Sequence, residues 1–284
     1  MKRFLQLLSV LLLTCALVSV ADAKPKKKKP KCDPGNAKVN ITCPTAKALK
    51  AGISACPNTG CGLVDPLLNK QKNIDTGNPD SAEDKDFQYL ADLPERVPGY
   101  NKIGDPRQPL VDKGEGKMIR IVAYALAARK GSKESCNCGL TKAADTDNHI
   151  PLVDEPTLKL TARATPGKPA TDTTKEVKPK TAVQNTLKKR EAFSETAEFT
   201  PRVRLTHPNL AGARLQALIS KAPKGVLLVR VTGVQMYDSE HAVGCHKLLR
   251  HNDWEIHPVF HLEYCPRSKT CTKDSDANWQ DLER

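Results

Sequence analysis

Residues Trp254 to Tyr264 alternate between apolar and polar side chains with period two, the pattern of a half-buried β-strand. Trp254, Ile256, Pro258, Phe260, Leu262 and Tyr264 fall on one face; Glu255, His257, Val259, His261 and Glu263 fall on the other. Four more strands are predicted upstream. Lys117–Arg129 carries apolar residues on both faces and ends at Gly131, and His149–Val153 forms a short second strand. Ala197–Leu205 is the third, and Val226–Tyr237 is a strongly apolar fourth. Between the last two, Pro208–Ala222 reads as a helix. Leu215, Leu218, Ile219 and Ala222 form its stripe, and Pro223 with Gly225 ends it.

Strand, strand, strand, helix, strand, strand is the order of a five-stranded OB-like barrel, with the helix between strands 3 and 4. The predicted fold class is therefore mainly β: this barrel plus an irregular N-terminal extension pinned by disulfides. Gly233 is where such a barrel needs a bend or bulge, and Trp254 is assigned to the core. Upstream of Gly114 the pattern weakens into Pro, Gly, Asn and Asp. Two short helices are predicted there, Thr45–Ala55 and Ser81–Leu93, the second capped around Asp80, Ser81 and Asp84.

The first residues change the compartment rather than the fold. Lys2 and Arg3 precede an apolar run from Leu5 to Val20, and Ala21-Asp22-Ala23 has the form of a cleavage site, so residues 1–23 read as a signal peptide. No later stretch is long and apolar enough to predict a membrane span. An exported, periplasmic or extracellular protein is expected. Residues 24–31 form a lysine-rich tail, 32–113 the extension, 114–265 the barrel domain with a basic flexible loop at 161–189, and 266–284 a C-terminal tail.

The formal charge is +13 at pH 7, and cleavage after Ala23 leaves +12, of which the tail lysines supply six. Tail and loop thus suit an anionic polymer or an envelope surface. Stacking aromatics are scarce: the chain after Ala23 has eleven aromatics, Trp254, Phe260 and Tyr264 are assigned to core, and Tyr124 and Tyr237 are the few expected at the surface. Sequence-specific nucleic-acid recognition is not expected. Cys32, Cys43, Cys56, Cys61, Cys136, Cys138, Cys245, Cys265 and Cys271 follow the cleavage site. In an exported chain they read as a disulfide framework with one odd thiol. Local closures Cys56–Cys61 and Cys265–Cys271 are expected, with Cys136 or Cys138 reaching Cys245. The rival use is zinc, held by Cys136, Cys138 and His246.

Three groups of residues carry candidate chemistry. Asp145, Asp147 and His149 share a face if the second strand begins early, and carboxylates with imidazole suit a divalent transition metal or proton transfer; turn-forming aspartates are the plainer reading. Glu240 and His241, with Asp238, His246 and His251 nearby, sit just past the end of the fourth strand. Glu255 and His257 are two apart on the last strand, about 7 Å along one face; such a face is otherwise a solvated one. A divalent metal is the cofactor these donors admit. No nucleophile elbow, phosphate-cradling glycine loop or His-Glu-x-x-His helix is present.

The series Asp145-x-Asp147-x-His149-Ile150, Glu198-Phe199-Thr200-Pro201-Arg202, Val229-x-Val231-Thr232-Gly233-x-x-x-Tyr237-Asp238-x-Glu240-His241 and Trp254-Glu255-Ile256-His257-Pro258-Val259 resembles a group of uncharacterised exported bacterial proteins with OB-type barrels. That resemblance spans about residues 116–264 and implies fold and compartment, with no activity attached. His149-Ile150-Pro151-Leu152-Val153-Asp154-Glu155-Pro156 is also similar, over a short stretch, to thermonuclease-type OB nucleases, with Arg202 and Arg204 as phosphate clamps. The function expected is a non-enzymatic binding module contacting anionic polymers or a metal; the alternative is a metal-dependent hydrolase of nuclease type.

Overall fold

Five strands close on one another. In a computed structural model that describes residues 38–100, 104–159, 189–241 and 249–284, they are β4 (Met118–Ala125), β6 (Asn148–Val153), β7 (Glu195–Phe199), β8 (Leu227–Tyr237) and β9 (Trp254–Tyr264). The order around the wall is β4-β8-β9-β7-β6, and β6 returns to β4 through Tyr124↔Val153 and Ala125↔Leu152. Helix α4 (Gly212–Lys221) lies between β7 and β8 in the chain, so the predicted five-stranded OB-like barrel, with its helix between strands 3 and 4, is the one found. The signal peptide, the lysine tail, residues 161–188 of the basic loop, Cys32, Cys245 and His246 lie outside the described residues.

Period-two patterning places the core. Ile119, Ile121, Ala123 and Ala125 of β4 stand opposite Gly233, Val231, Val229 and Leu227 of β8, and all of them are buried inside the barrel. Trp254, Ile256, Val259 and Leu262 continue that inner face across β9. The register of β8 and β9 slips on either side of Gly233, which is the bulge expected there. A Cβ at Gly233 would lie 2.4 Å from the Pro258 carbonyl oxygen and 2.9 Å from the Val259 Cα, so only glycine lets the two backbones approach this closely.

The third predicted strand is shorter than expected. Pro201 has no N–H to donate, and the chain leaves β7 at Phe199 for a single turn over Val203–Leu205. The first likewise breaks after Ala125 and resumes only as β5 (Arg129–Lys130), which pairs with β6.

The extension contributes β1 (Val39–Ile41), β2 (Gly62–Val64), α1 (Pro66–Lys72), β3 (Glu83–Lys85), α2 (Phe87–Ala91) and α3 (Gln108–Val111). Phe87, Leu90, Val97, Tyr100 and Leu110 join the apolar cluster of the barrel. Two predicted helices are corrected. Glu83–Lys85 pairs in parallel with β4, so the second helix keeps only Phe87–Ala91, and Asp84 bonds Arg120 at 2.6 Å instead of capping a helix. In the first, a tight helical stretch over Ala48–Ala55 is interrupted by Gly52 at φ 74°.

The disulfides also differ from expectation. Pairing of Ile41 with Gly62 brings Cys43 to Cys61, and Cys56 is joined to Cys138 instead of Cys61. Cys265–Cys271 forms as predicted. Cys138 therefore does not reach Cys245, and Cys136 is a buried free thiol. No described helix is long and apolar enough to cross a membrane.

Candidate metal centre on the covered face of the barrel

One row of side chains crosses three neighbouring strands on the outer face of the wall. His149 of β6 stands opposite Glu198 of β7, and the parallel register Ala197↔Ile256 sets Glu198 beside His257 of β9. Apolar Ile150, Ala197, Phe199 and Ile256 turn inward, so period two turns the polar residues between them outward. That outward face is not solvated. Glu198, Glu255 and His257 are at most 3% exposed, which corrects the expectation of a wet surface for Glu255 and His257.

The cover comes from the extension and the loop before β6. Helix α1 starts at Asp65, whose carboxylate accepts from the backbone N–H groups of Leu67 and Leu68, and it ends by burying Lys72. The Asn73 amide donates to the Asn58 and Cys136 carbonyl oxygens at 2.9 Å each. The Cys56–Cys138 disulfide anchors the segment bearing Glu134, Cys136 and Asn137.

The resulting cluster has a definite wiring. His149 Nδ1 lies 3.1 Å from Glu198 Oε1, and its Nε2 lies 3.7 Å from Glu134 Oε1. His257 Nδ1 lies 3.3 Å from both Glu198 Oε2 and Glu255 Oε1. Glu255 Oε2 accepts from Arg250 at 3.0 Å. Lys72 Nζ sits 3.2 Å from Asp238 and 3.6 Å from Glu134, and Asp238 holds His241 Nδ1 at 2.7 Å. Asp147 Oδ2 accepts from the Asn137 amide at 2.7 Å. Asp147, Glu198 and His257 each offer a ligand atom, all within 4.8 Å of one another, and so do Glu134, Cys136 and Asp147. His257 Nε2 is buried without a hydrogen-bond partner, and Glu198 Oε2 has only its ion-pair contact with His257 Nδ1, a costly state for polar atoms in a dry interior.

Charge decides what this cluster needs. Glu134, Asp147, Glu198, Asp238 and Glu255 are five carboxylates in or at the edge of the buried layer, against the permanent cations Lys72 and Arg250. The remaining negative charge is offset by imidazole protons, by protonation of a carboxyl group or by an ion. Burial, the largest single influence, favours neutral rings, yet the surrounding carboxylates together outweigh it: Glu198, Glu134 and Asp147 push His149 up to about 10, and Glu198, Glu255 and Asp147 push His257 up to about 9. Burial in turn pushes Glu198 up to about 7 against the pull of both imidazoles. Asp147 is raised by its burial and by Glu134.

Of the residues singled out in the sequence, Asp147, His149, Glu255 and His257 meet here. His241 joins through Asp238 and Lys72. Two do not meet. Asp145 lies in the turn Ala143–Asp145 before the strand, where alternation does not reach, and its Oδ1 accepts from the Ile53 backbone N–H at 2.9 Å. Glu240 pairs with Lys38 at 2.8 Å. His251 gives its backbone N–H to the Ser194 carbonyl. Tyr237, a candidate for exposed stacking, is buried edge-on against Tyr100 and Trp254. Cys138 is spent in its disulfide, so of the zinc-type pair only the Cys136 thiol is free. The residues the sequence reading missed are Glu134, Glu198 and Lys72. Glu198 did carry a signal, a lone carboxylate between the inward Ala197 and Phe199 on a predicted strand; the other two did not.

Compared with models of protein families, with curated proteins and with solved structures, the chain shows no match.

Proposed function

We propose that this chain is an exported, non-enzymatic binding module whose OB-like barrel holds a divalent transition-metal ion at Asp147, Glu198 and His257, with His149 at the open flank. The observation that carries this reading is the convergence of those three buried donors within 4.8 Å, together with the buried His257 Nε2, which has no hydrogen-bond partner. Mixed imidazole and carboxylate donors suit zinc, iron or manganese. A bound ion supplies the positive charge that protons otherwise provide, and its binding releases them.

Burial favours binding over catalysis. A catalytic metal keeps a coordination position open to water and substrate, whereas these three donors are at most 3% exposed. The half-buried His149 is the cluster's most accessible donor. The hydrolase alternative retains a clear signature, namely chelator-sensitive cleavage of DNA or RNA.

Purified, oxidised protein titrated with zinc by calorimetry should bind it, and Glu198→Gln and His257→Gln should each weaken binding more than about tenfold. Unchanged affinity in both variants, or no binding by the unaltered chain, overturns the reading. Nuclease activity that disappears with chelator would favour the hydrolase instead.

The second half of the proposal concerns the lysines of 24–31 and the basic segment 161–189. We expect retention on a heparin column to fall sharply when both are deleted, and retention to weaken steeply with salt. Equal retention of the deleted chain would place polyanion contact elsewhere.

A further inference from the structure

Asp147 belongs to two donor groups at once. Besides the set with Glu198 and His257, it closes a second with Glu134 and Cys136, whose ligand atoms also lie within 4.8 Å of one another. Cys136 is 2% exposed and is not in a disulfide. Its Sγ lies 3.3 Å from Glu134 Oε2 and 4.0 Å from Asp147 Oδ2. A structural cysteine in an oxidised framework normally sits among apolar groups or bonds another sulfur. This one faces two carboxylates.

A second observation points the same way. The Asn137 amide is 1% exposed and donates to Asp147, yet its own Oδ1 has no hydrogen-bond partner. That unmatched acceptor sits on the residue next to Cys136, on the side chain that holds Asp147, and is a costly state for a polar atom in a dry layer.

We propose that the site takes two cations, not one, with Asp147 bridging them: the first on Glu198 and His257, the second on Glu134 and the Cys136 thiolate. This rests on the metal-binding reading above. A carboxylate bridge holds two ions about 3.5–4 Å apart, which the sharing of Asp147 allows. Thiolate selects for zinc-class ions over magnesium, calcium or manganese. On binding, the Cys136 S–H bond breaks as the sulfur–metal bond forms, and the proton goes to buffer. Lys72, which now neutralises Glu134, keeps Asp238 at 3.2 Å as its counter-ion.

Cobalt(II) is the probe, because a thiolate ligand gives it an intense near-ultraviolet charge-transfer band that oxygen and nitrogen ligands do not. The full oxidised chain should bind two cobalt ions and show the band. Cys136→Ser should bind one ion without the band, and Glu134→Gln should keep the first ion while weakening the second more than about tenfold. Far-ultraviolet circular dichroism of each variant verifies the fold. One bound ion and no band in the unaltered chain overturns the second position and leaves the first reading intact. No bound ion overturns both. One bound ion that shows the band and is lost in both Cys136→Ser and Glu134→Gln means that a single ion spans all the donors, and likewise overturns the second position.

Discussion

Replacing Arg107 with alanine should lower the stability of the protein by about 3–5 kcal/mol, the usual cost of removing one partner of a buried ion pair. Arg107 is 7% exposed and donates from Nε to Glu115 Oε2 at 2.7 Å, from Nη2 to Glu115 Oε1, and from Nη2 to the Tyr237 carbonyl at 2.7 Å. Glu115 Oε1 also accepts from the Tyr237 backbone N–H at 3.0 Å. The guanidinium lies over Tyr100 as well, 5.6 Å from the ring centroid. One pair thus fastens the extension to the end of β8. Alanine would strand the Glu115 carboxylate, which is 2% exposed, without its ion-pair partner; among the described residues no other cation lies within ion-pair distance of it. Equilibrium denaturation measures the loss. The double variant Arg107→Met with Glu115→Gln should recover most of it, because the cost lies in the orphaned charge and not in the missing contact. A loss below about 1 kcal/mol for the single variant would mean that water enters and solvates Glu115.

The second large effect is on pH dependence. In chelator, the fold should be most stable at mildly acidic to neutral pH and should lose stability as pH rises toward 10. The direction follows from proton linkage. His257 and His149 bind protons more tightly folded, at about 9 and about 10, than an unfolded imidazole does. Their contribution is therefore complete below the ordinary histidine value and disappears as pH passes through 9 and 10. Glu198, pushed up to about 7, drifts the same way over a lower window, from the ordinary glutamate value up to 7. Asp238 and Glu255 act oppositely. Burial would raise both, but His241 and Lys72 hold Asp238 down and His257 and Arg250 hold Glu255 down, so their contribution is lost only in acid. Denaturation midpoints collected from pH 5 to pH 10 test this. His257→Gln should flatten the alkaline limb, and an unaltered limb in that variant would refute the assignment.

The barrel was legible because its strands are long and their periods are clean. The run from Leu227 to Tyr237 and the alternation from Trp254 to Tyr264 each fit one conformation, and Gly233 marked the place where a backbone had to pass close by. The extension was not legible in the same way. Glu83–Lys85 has no apolar period of its own and becomes a strand only because β4 offers it an edge. Cys43 meets Cys61 only because two three-residue strands pair, and neither strand announces itself.

The cluster divides along the same line. Asp147, His149, Glu255 and His257 were readable because strand alternation places them; Asp145 was over-read by extending that alternation into a turn. Lys72, Glu134 and Cys136 come from segments whose position is set by a disulfide and a helix end, not by any repeat along the chain. The dryness of the site was invisible for the same reason. A strand's pattern says which side chains face outward, and says nothing about what a distant segment lays over them.

That covering has a consequence for when the centre can exist. Its donors are gathered from residues 134, 147, 198 and 257 and its counter-charge from Lys72, so nearly the whole described chain must be placed before they meet. Contacts this far apart in sequence form late, since the entropy of closing the intervening loops has to be met first. His257 arrives on the last barrel strand to be synthesised. An emerging chain therefore carries only scattered polar side chains until β9 is seated, and the complete cluster appears in the same step that finishes the barrel.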